Sequence, residues 1–306
     1  MSQSGTGCVA NVYEVIVFNT VLTTTQRQAI EGYLAWKWGL QANLSSTNPY
    51  SSRYPGTYPL PSAYTGLALW FDAADLTTLF QNTAGTTAVT ANGQFVQCWK
   101  DKSGNSRHAT LYTGTTGPTY SSNGFNGGYA GLLFNGANTS ILMTAALFPS
   151  TALTTGGSNS TIFAVYNRSG TPVNSGVYGL QTTDNTFVLR DPWASAGTSI
   201  LDLGGATSTT PARVAVTNAV VGPVVTSAYR SGAGTYLYQN TLPLGSNLSS
   251  TGTVSATSQG FCIGGAAVGG PITFTSYISE LIIYNTALTD AQRQGVESYL
   301  AYKWKC

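Results

Sequence analysis

The sequence predicts an all-β sandwich or barrel that closes with a C-terminal helix and is preceded by a separate strand–helix segment. Three observations predict it. Short apolar runs of strand length recur along the 306 residues with Gly, Pro and Asn between them. That is the pattern of many short antiparallel strands, not of alternating strands and helices. Strong helical periodicity is confined to the two ends. Those ends are near-copies: NVYEVIVFNTVLTTTQRQAIEGYLAWKWGL, from Asn11 to Leu40, aligns without a gap to YISELIIYNTALTDAQRQGVESYLAYKWKC, from Tyr277 to Cys306, with 15 of 30 positions identical.

The self-match sets the domain organisation, because a long internal repeat marks the unit of a fold. The closing piece occurs twice, and only one module's worth of chain lies between the copies. Residues 1–40 therefore read as the strand–helix tail of a preceding repeat, 41–64 as a linker and 65–306 as one complete module. A chain that opens on a module tail reads as a fragment of something longer; a short gene product with an added strand and helix is the other account.

Taken in order, VYEVIVFN within 11–22 reads as a strand, and Thr23 opens a helix. Thr23 and Gln26 have capping-box spacing, repeated by Thr289 and Gln292; the hydroxyl takes an orphan helix amide and the glutamine reaches back. Ile30, Leu34 and Trp38, like Val296, Leu300 and Trp304, recur at helical spacing and give each helix one apolar face. Gly39 stands where a C-terminal cap would. The linker carries Pro49, Pro55, Pro59 and Pro61 and reads as extended and semi-rigid. LALWFDA at Leu67 begins the main module. Residues 96–112 read as strand, tight turn, strand, with turn-forming residues from Asp101 to Asn105. Further strands are expected in AGLLFN before Gly136, and at 161–167, 176–181, 186–190, 212–217, 224–230, 235–240, 261–264 and 279–285. An apolar strand at 12–18 exposes ladder groups if left alone. It is expected to pack on the main module or on another chain.

Composition narrows the function classes. Charged residues are 8% of the chain against 42% hydrophobic, with 35 Gly and 74 Ser plus Thr. This suits a loop-rich extracellular or particle-surface protein with hydroxyl-bearing faces rather than a disordered one. A net charge of +2 with no basic run leaves no nucleic-acid footprint. No apolar run approaches a membrane span, and Met1 to Thr20 does not read as a secretory leader. Cys8, Cys98, Cys262 and Cys306 are widely spaced and His108 is the single histidine. Zinc is therefore not expected; buried thiols are the main reading of the cysteines, with one or two disulfides the alternative. Five Asn-x-Ser/Thr triplets are no more than the hydroxyl content gives by chance.

The opening LALWFDAAD, the W-x-D-K-S-G-N run from Trp99 to Asn105, F-C-I-G-G, and the closing S-E-L-I-I-Y-N…L-T-x-x-Q-R-Q…Y-L-A-x-K-W together resemble the laminin-G-like, concanavalin A-like jelly-roll domains. The likeness is greatest to the tandem versions in large DNA virus surface, fibre and capsid-associated proteins and in bacterial surface proteins. It covers 65–306 fully and 11–40 as a partial unit. It implies a two-sheet antiparallel jelly-roll sandwich of roughly a dozen strands, used for glycan or protein contact. The expected function is a non-enzymatic structural and adhesive module of a virion shell or fibre, or of a cell surface. Its expected partners are neighbouring repeats, capsid or surface proteins, and glycans. A lectin domain with a discrete sugar pocket and a glycoside hydrolase are the alternatives.

Candidate site residues follow. Glycosidases need two carboxylates across a cleft, yet none of the eleven acids pairs at i, i+2 on one strand; Asp72 and Asp75 come nearest, and no catalytic residue is assigned. Glu280, like Glu14, interrupts an apolar strand and needs a partner. Arg293 or Lys303 on the following helix would make a strand–helix joint. Asp101, Ser103 and Asn105 offer oxygens that could hold calcium, with a hydrogen-bonded turn the competing reading; no other cofactor is expected. His108 reads as a surface or half-buried strand residue. Trp70 and Trp99 read as core. Trp193, Tyr129, Tyr236 and Tyr238 are the candidates for glycan or protein contact.

Overall fold

The computed structural model describes residues 12, 14–38, 40, 43–45, 47–48, 59–137, 140–144, 159–168, 175–180, 187–192, 198–203, 213–217, 219–232, 234–248, 260–267 and 271–306. The chain divides into two compact units, Met1–Thr57 and Tyr58–Cys306. In the first, helix α1 spans Thr24–Lys37 behind the Thr23–Gln26 capping box. Gly39 and Cys8 lie outside the described residues. The expected N-terminal strand is not formed: residues 14–18 join no ladder among the described residues. A strand needs a neighbour to receive its N–H and C=O groups, and apolar character supplies none.

The second unit contains, among the described residues, nineteen strands, one α-helix and two short 3-10 helices, Pro61–Ala63 and Leu76–Thr78. The strands are β1 (Leu67–Asp72), β2 (Leu79–Phe80), β3 (Cys98–Trp99), β4 (Ala109–Leu111), β5 (Thr119–Phe125), β6 (Tyr129–Asn135), β7 (Leu142–Thr144), β8 (Ser160–Arg168), β9 (Gly176–Leu180) and β10 (Phe187–Arg190). They continue with β11 (Ser199–Leu203), β12 (Arg213–Val216), β13 (Gly222–Ser231), β14 (Gly234–Gln239), β15 (Leu242–Asn247), β16 (Phe261–Ile263), β17 (Gly265–Ala267), β18 (Pro271–Thr273) and β19 (Thr275–Tyr284). Helix α2 spans Asp290–Trp304.

Two antiparallel sheets make the sandwich. One runs β15-β14-β13-β8-β19-β6-β5 with β1 also on β19; the other runs β12-β11-β10-β9-β16-β7-β4-β3-β2. The strand count exceeds the expected dozen because runs such as TYSSNGF (β5) and LPLGSN (β15) are polar, and β2 and β3 are two residues each. Such strands are recruited by neighbours and carry little alternation of their own.

The last strand occupies the middle of the first sheet. Thr275–Ile278 pair with β6, Glu280–Tyr284 pair with β1, and β8 runs along the other side. Leu281 and Ile283 face the core between the sheets, with Leu69, Phe71 and Tyr166. Ile282 and Tyr284 face outward and are covered by Val296, Leu300 and Trp304 of α2. A strand buried on both faces reads as an unbroken apolar run rather than an alternating one, which is why ELIIY looks as it does. Helix α2 is set by the Thr289–Gln292 capping box, Asp290 in the first turn and Lys303 in the last, and ends at Lys305 with φ of 56°. Charges in those turns complement the helix dipole.

Gly264 carries the chain between β16 and β17 at φ +75°, and a Cβ there would lie 1.9 Å from the Phe134 ring. No other residue has both the conformation and the room. Cys98 and Cys262 are buried and Cys306 is half-buried.

Candidate functional site

Three polar or aromatic constellations stand on this frame. The first is the joint between β19 and α2. Burial of a carboxylate requires donors, and Glu280 has four. Trp70 Nε1 donates at 2.7 Å, Trp304 Nε1 at 2.6 Å, Lys303 Nζ at 2.7 Å and Tyr299 Oη at 3.0 Å. Lys303 also meets Asp72 at 2.7 Å, and Lys102 bridges Asp72 and Asp75 at 2.8 Å each. Burial lifts the Glu280 carboxyl above its ordinary range, Lys303 opposes that, and the Asp72 charge adds to it. For Asp75, burial is outweighed by hydrogen bonds from Lys102 and Thr77, and its pKa falls. Each lysine sits between carboxylates. Asp75 keeps part of its surface open, its side chain being 29% exposed.

Of the two partners expected for Glu280, the structure places Lys303 on it and Arg293 elsewhere. Arg293 Nη1 pairs with Glu297 at 2.5 Å, and Glu297 accepts from Ser227 of β13. The helix turn explains the split. Lys303 lies on α2 near Trp304, over β19, whereas Arg293 lies almost three turns earlier, over β13.

The Asp101–Asn105 turn is a hydrogen-bonded clamp on β1. Asp101 accepts from the Trp70 amide (3.0 Å), the Ser103 amide (2.8 Å), the Ser103 hydroxyl (2.7 Å) and the Arg107 amide (3.0 Å). Asn105 Nδ2 donates to the Leu67 carbonyl at 3.0 Å. Asp101 thus accepts from four protein donors, the arrangement of a hydrogen-bonded turn. His108 is half-buried and its Nδ1 accepts from the Asp101 amide at 3.1 Å.

The second constellation is a tyrosine stack on the outer face of the first sheet. Tyr229 of β13 is the register partner of Tyr236 on β14. Their rings stack at 4.5 Å with planes 14° apart, and Tyr238 stacks on Tyr229 at 6.1 Å. All three are half-buried. The Arg293 guanidinium lies 3.9 Å from the Tyr238 ring centroid, a cation–π contact that ties the stack to the first turns of α2. Burial, then a hydrogen bond with Tyr238, raises the Tyr229 phenol above its ordinary range. Tyr236 and Tyr238 are among the aromatics that the sequence offers as contact candidates. Tyr229 and the Arg293 contact depend on cross-strand register, which one sequence does not display. Tyr129 does not join the stack; it packs edge-on to Trp304 at 6.5 Å, beside the joint. Trp70 and Trp99 are buried. Trp193 lies outside the described residues.

The third constellation has no counterpart in the sequence reading. Asp191 accepts from Tyr166, from Arg168 Nε at 2.5 Å and from Ser199 at 2.5 Å, all buried. Burial raises the Asp191 carboxyl against the opposing pull of Arg168. The sequence signal was an arginine ending the apolar run TIFAVYNR. Closed to solvent, the cluster ties β8 to β11.

No family model matches the chain, and no curated protein matches it. Solved structures do. The binding domain of Botulinum Neurotoxin DC in complex with SialylT aligns at a TM-score of 0.52 and 8% identity, over 79% of this chain and 52% of that one. The Botulinum Neurotoxin serotype G binding domain aligns at 0.52 and 9% identity, over 77% and 51%. The binding domain of Paraclostridial Mosquitocidal Protein 1 aligns at 0.50 and 13% identity, over 68% and 51%. The chain thus spans about half the length of these structures, and at such identities what it shares with them is the β-sandwich fold.

Proposed function

We propose that the chain is a non-enzymatic adhesive module that contacts glycan or a neighbouring protein through the outer face of its first sheet. The observation that carries this reading is the Tyr229–Tyr236–Tyr238 stack braced by Arg293. Half-exposed aromatics fixed by packing offer apolar area at low entropic cost and can stack on the C–H face of a sugar ring. Two further points support it. The acids nearest to a hydrolase pair, Asp72 and Asp75, are both neutralised by Lys102. The neighbouring folds are binding domains, one of them in complex with SialylT. No cofactor is needed for such contact. The setting we propose is a virion or cell surface, with neighbouring repeats, capsid or surface proteins as the protein partners. No helix among the described residues is long and apolar enough to cross a membrane.

A glycan array with the intact chain tests the reading, using Tyr236→Ala and Tyr238→Ala as probes. The expected result is a binder whose affinity drops at least about tenfold in each variant, as loss of an aromatic anchor does, with unfolding midpoints close to the parent. Binding that survives both substitutions would contradict the assignment of the site, and an array without binders would remove its glycan arm.

A further inference from the structure

The two copies of the closing element keep the same internal devices and have different surroundings. Each helix opens with the same capping box. Each strand glutamate accepts from the tryptophan at the end of its helix: Trp304 to Glu280 at 2.6 Å, and Trp38 to Glu14 at 3.1 Å. Burial does not repeat. Ile282, Ile283 and Tyr284 are 0% exposed, whereas their counterparts Ile16, Val17 and Phe18 are 41%, 86% and 45% exposed. In the larger unit the apolar face of α2 rests on Phe163, Val165 and Val225. In the smaller unit the same side of α1 borders a groove of about 880 Å³, lined by Val12, Glu14, Leu34, Ala35 and Trp38 among others.

We propose that residues 12–38 are the closing strand and helix of a second β-sandwich of the same architecture, in another module. They would fill in it the slot that β19 and α2 fill here. The partner is then defined chemically. It is an antiparallel sheet with one central strand missing, two ladders to offer, and an apolar floor equivalent to Phe163, Val165 and Val225. It presents an indole donor equivalent to Trp70 to Glu14. An exposed apolar segment of strand length recruits a sheet in this way.

That partner is not an identical copy. Ser279 is fully buried, its hydroxyl donates to the Ala130 carbonyl at 2.8 Å, and it lies 3.1 Å from where a Cβ on Gly131 would sit. The repeat has Tyr13 at this position. A phenol there overfills the site, so the partner sheet leaves room opposite Tyr13. This inference is independent of the tyrosine stack and of the binding reading.

The test replaces residues 277–306 of the full chain with the sequence of 11–40. It is made in two versions, the plain graft and one carrying Tyr13→Ser within the graft. Denaturant unfolding and near-UV circular dichroism are read. The serine version is expected to unfold in one cooperative transition, and the plain graft to be less stable by at least about fivefold in its unfolding equilibrium, because the phenol overpacks the site. Absence of a cooperative transition in the serine version would overturn the proposal. Equal stability of the two grafts would overturn the distinction between partner and copy.

Discussion

At Glu280 two indoles, a lysine and a phenol converge on one carboxylate inside the sheet–helix joint. Removing the charge leaves the two indoles and the phenol facing a neutral acceptor, while Lys303 keeps Asp72 at 2.7 Å; a hydrogen bond to a charged group contributes about 1.5–3 kcal/mol. Glu280→Gln is therefore expected to destabilise the chain by about that amount in urea unfolding. Adding Lys303→Met should cost less than Lys303→Met alone, because the two residues share one interaction and their effects do not add. An additive double variant would show that the pair is not coupled. The need for a partner was legible: a glutamate in an otherwise apolar strand requires one. That Lys303 is on Glu280 and Arg293 is not was illegible, since it depends on how α2 crosses the sheet. The indoles of Trp70 and Trp304 were invisible for the same reason, and Arg168 with Asp191 were missed because 23 residues separate them.

Strand β19 and helix α2 were read at the right place because a doubly buried strand and a capped amphipathic helix both write themselves into local sequence. Their N-terminal copy shows the limit of that reading. The capping box and periodicity of α1 are local and form the helix, whereas residues 14–18 have the apolar run without the neighbours that make a strand. The polar strands β5 and β15 are the converse case, with little local signal and full pairing. Two expectations belong to this scale. Thr289→Ala removes the side-chain cap on the Gln292 amide and should cost about 1 kcal/mol in thermal unfolding. Gly264→Ala combines a positive φ with a collision against Phe134. It should destabilise by more than the ~1 kcal/mol typical of a strained φ alone, and a change within 0.5 kcal/mol would contradict the tight approach of β16–β17 to β6.

Over the larger unit as a whole, buried phenols set the response to alkali. Tyr166, Tyr178, Tyr284 and Tyr299 all have pKa values raised above the ordinary 10.0, with burial as the leading cause. The native state then holds these protons more tightly than the unfolded chain. Their contribution to stability is complete below about pH 10 and is lost as pH rises toward the folded values. Tyrosinate absorbance should accordingly rise together with loss of near-UV ellipticity, in one cooperative step above pH 10. Titration of these phenols in an intact fold would contradict their burial. The sandwich was legible at this scale from strand count and turn residues, while the order of strands in each sheet was not, because pairing partners lie far apart in the chain.

One sequence element is present twice: its strand is paired on both sides in the larger unit, whereas in the smaller unit residues 15–18 join no ladder among the described residues. Native-state hydrogen exchange on the dilute full chain tests this contrast most directly, since both copies are measured in one sample. The amides of Ile282, Ile283 and Tyr284 are predicted to exchange only through global unfolding, and those of Ile16, Val17 and Phe18 at nearly unprotected rates, a gap on the order of 10³ or more. Comparable protection of the two triplets would contradict the account.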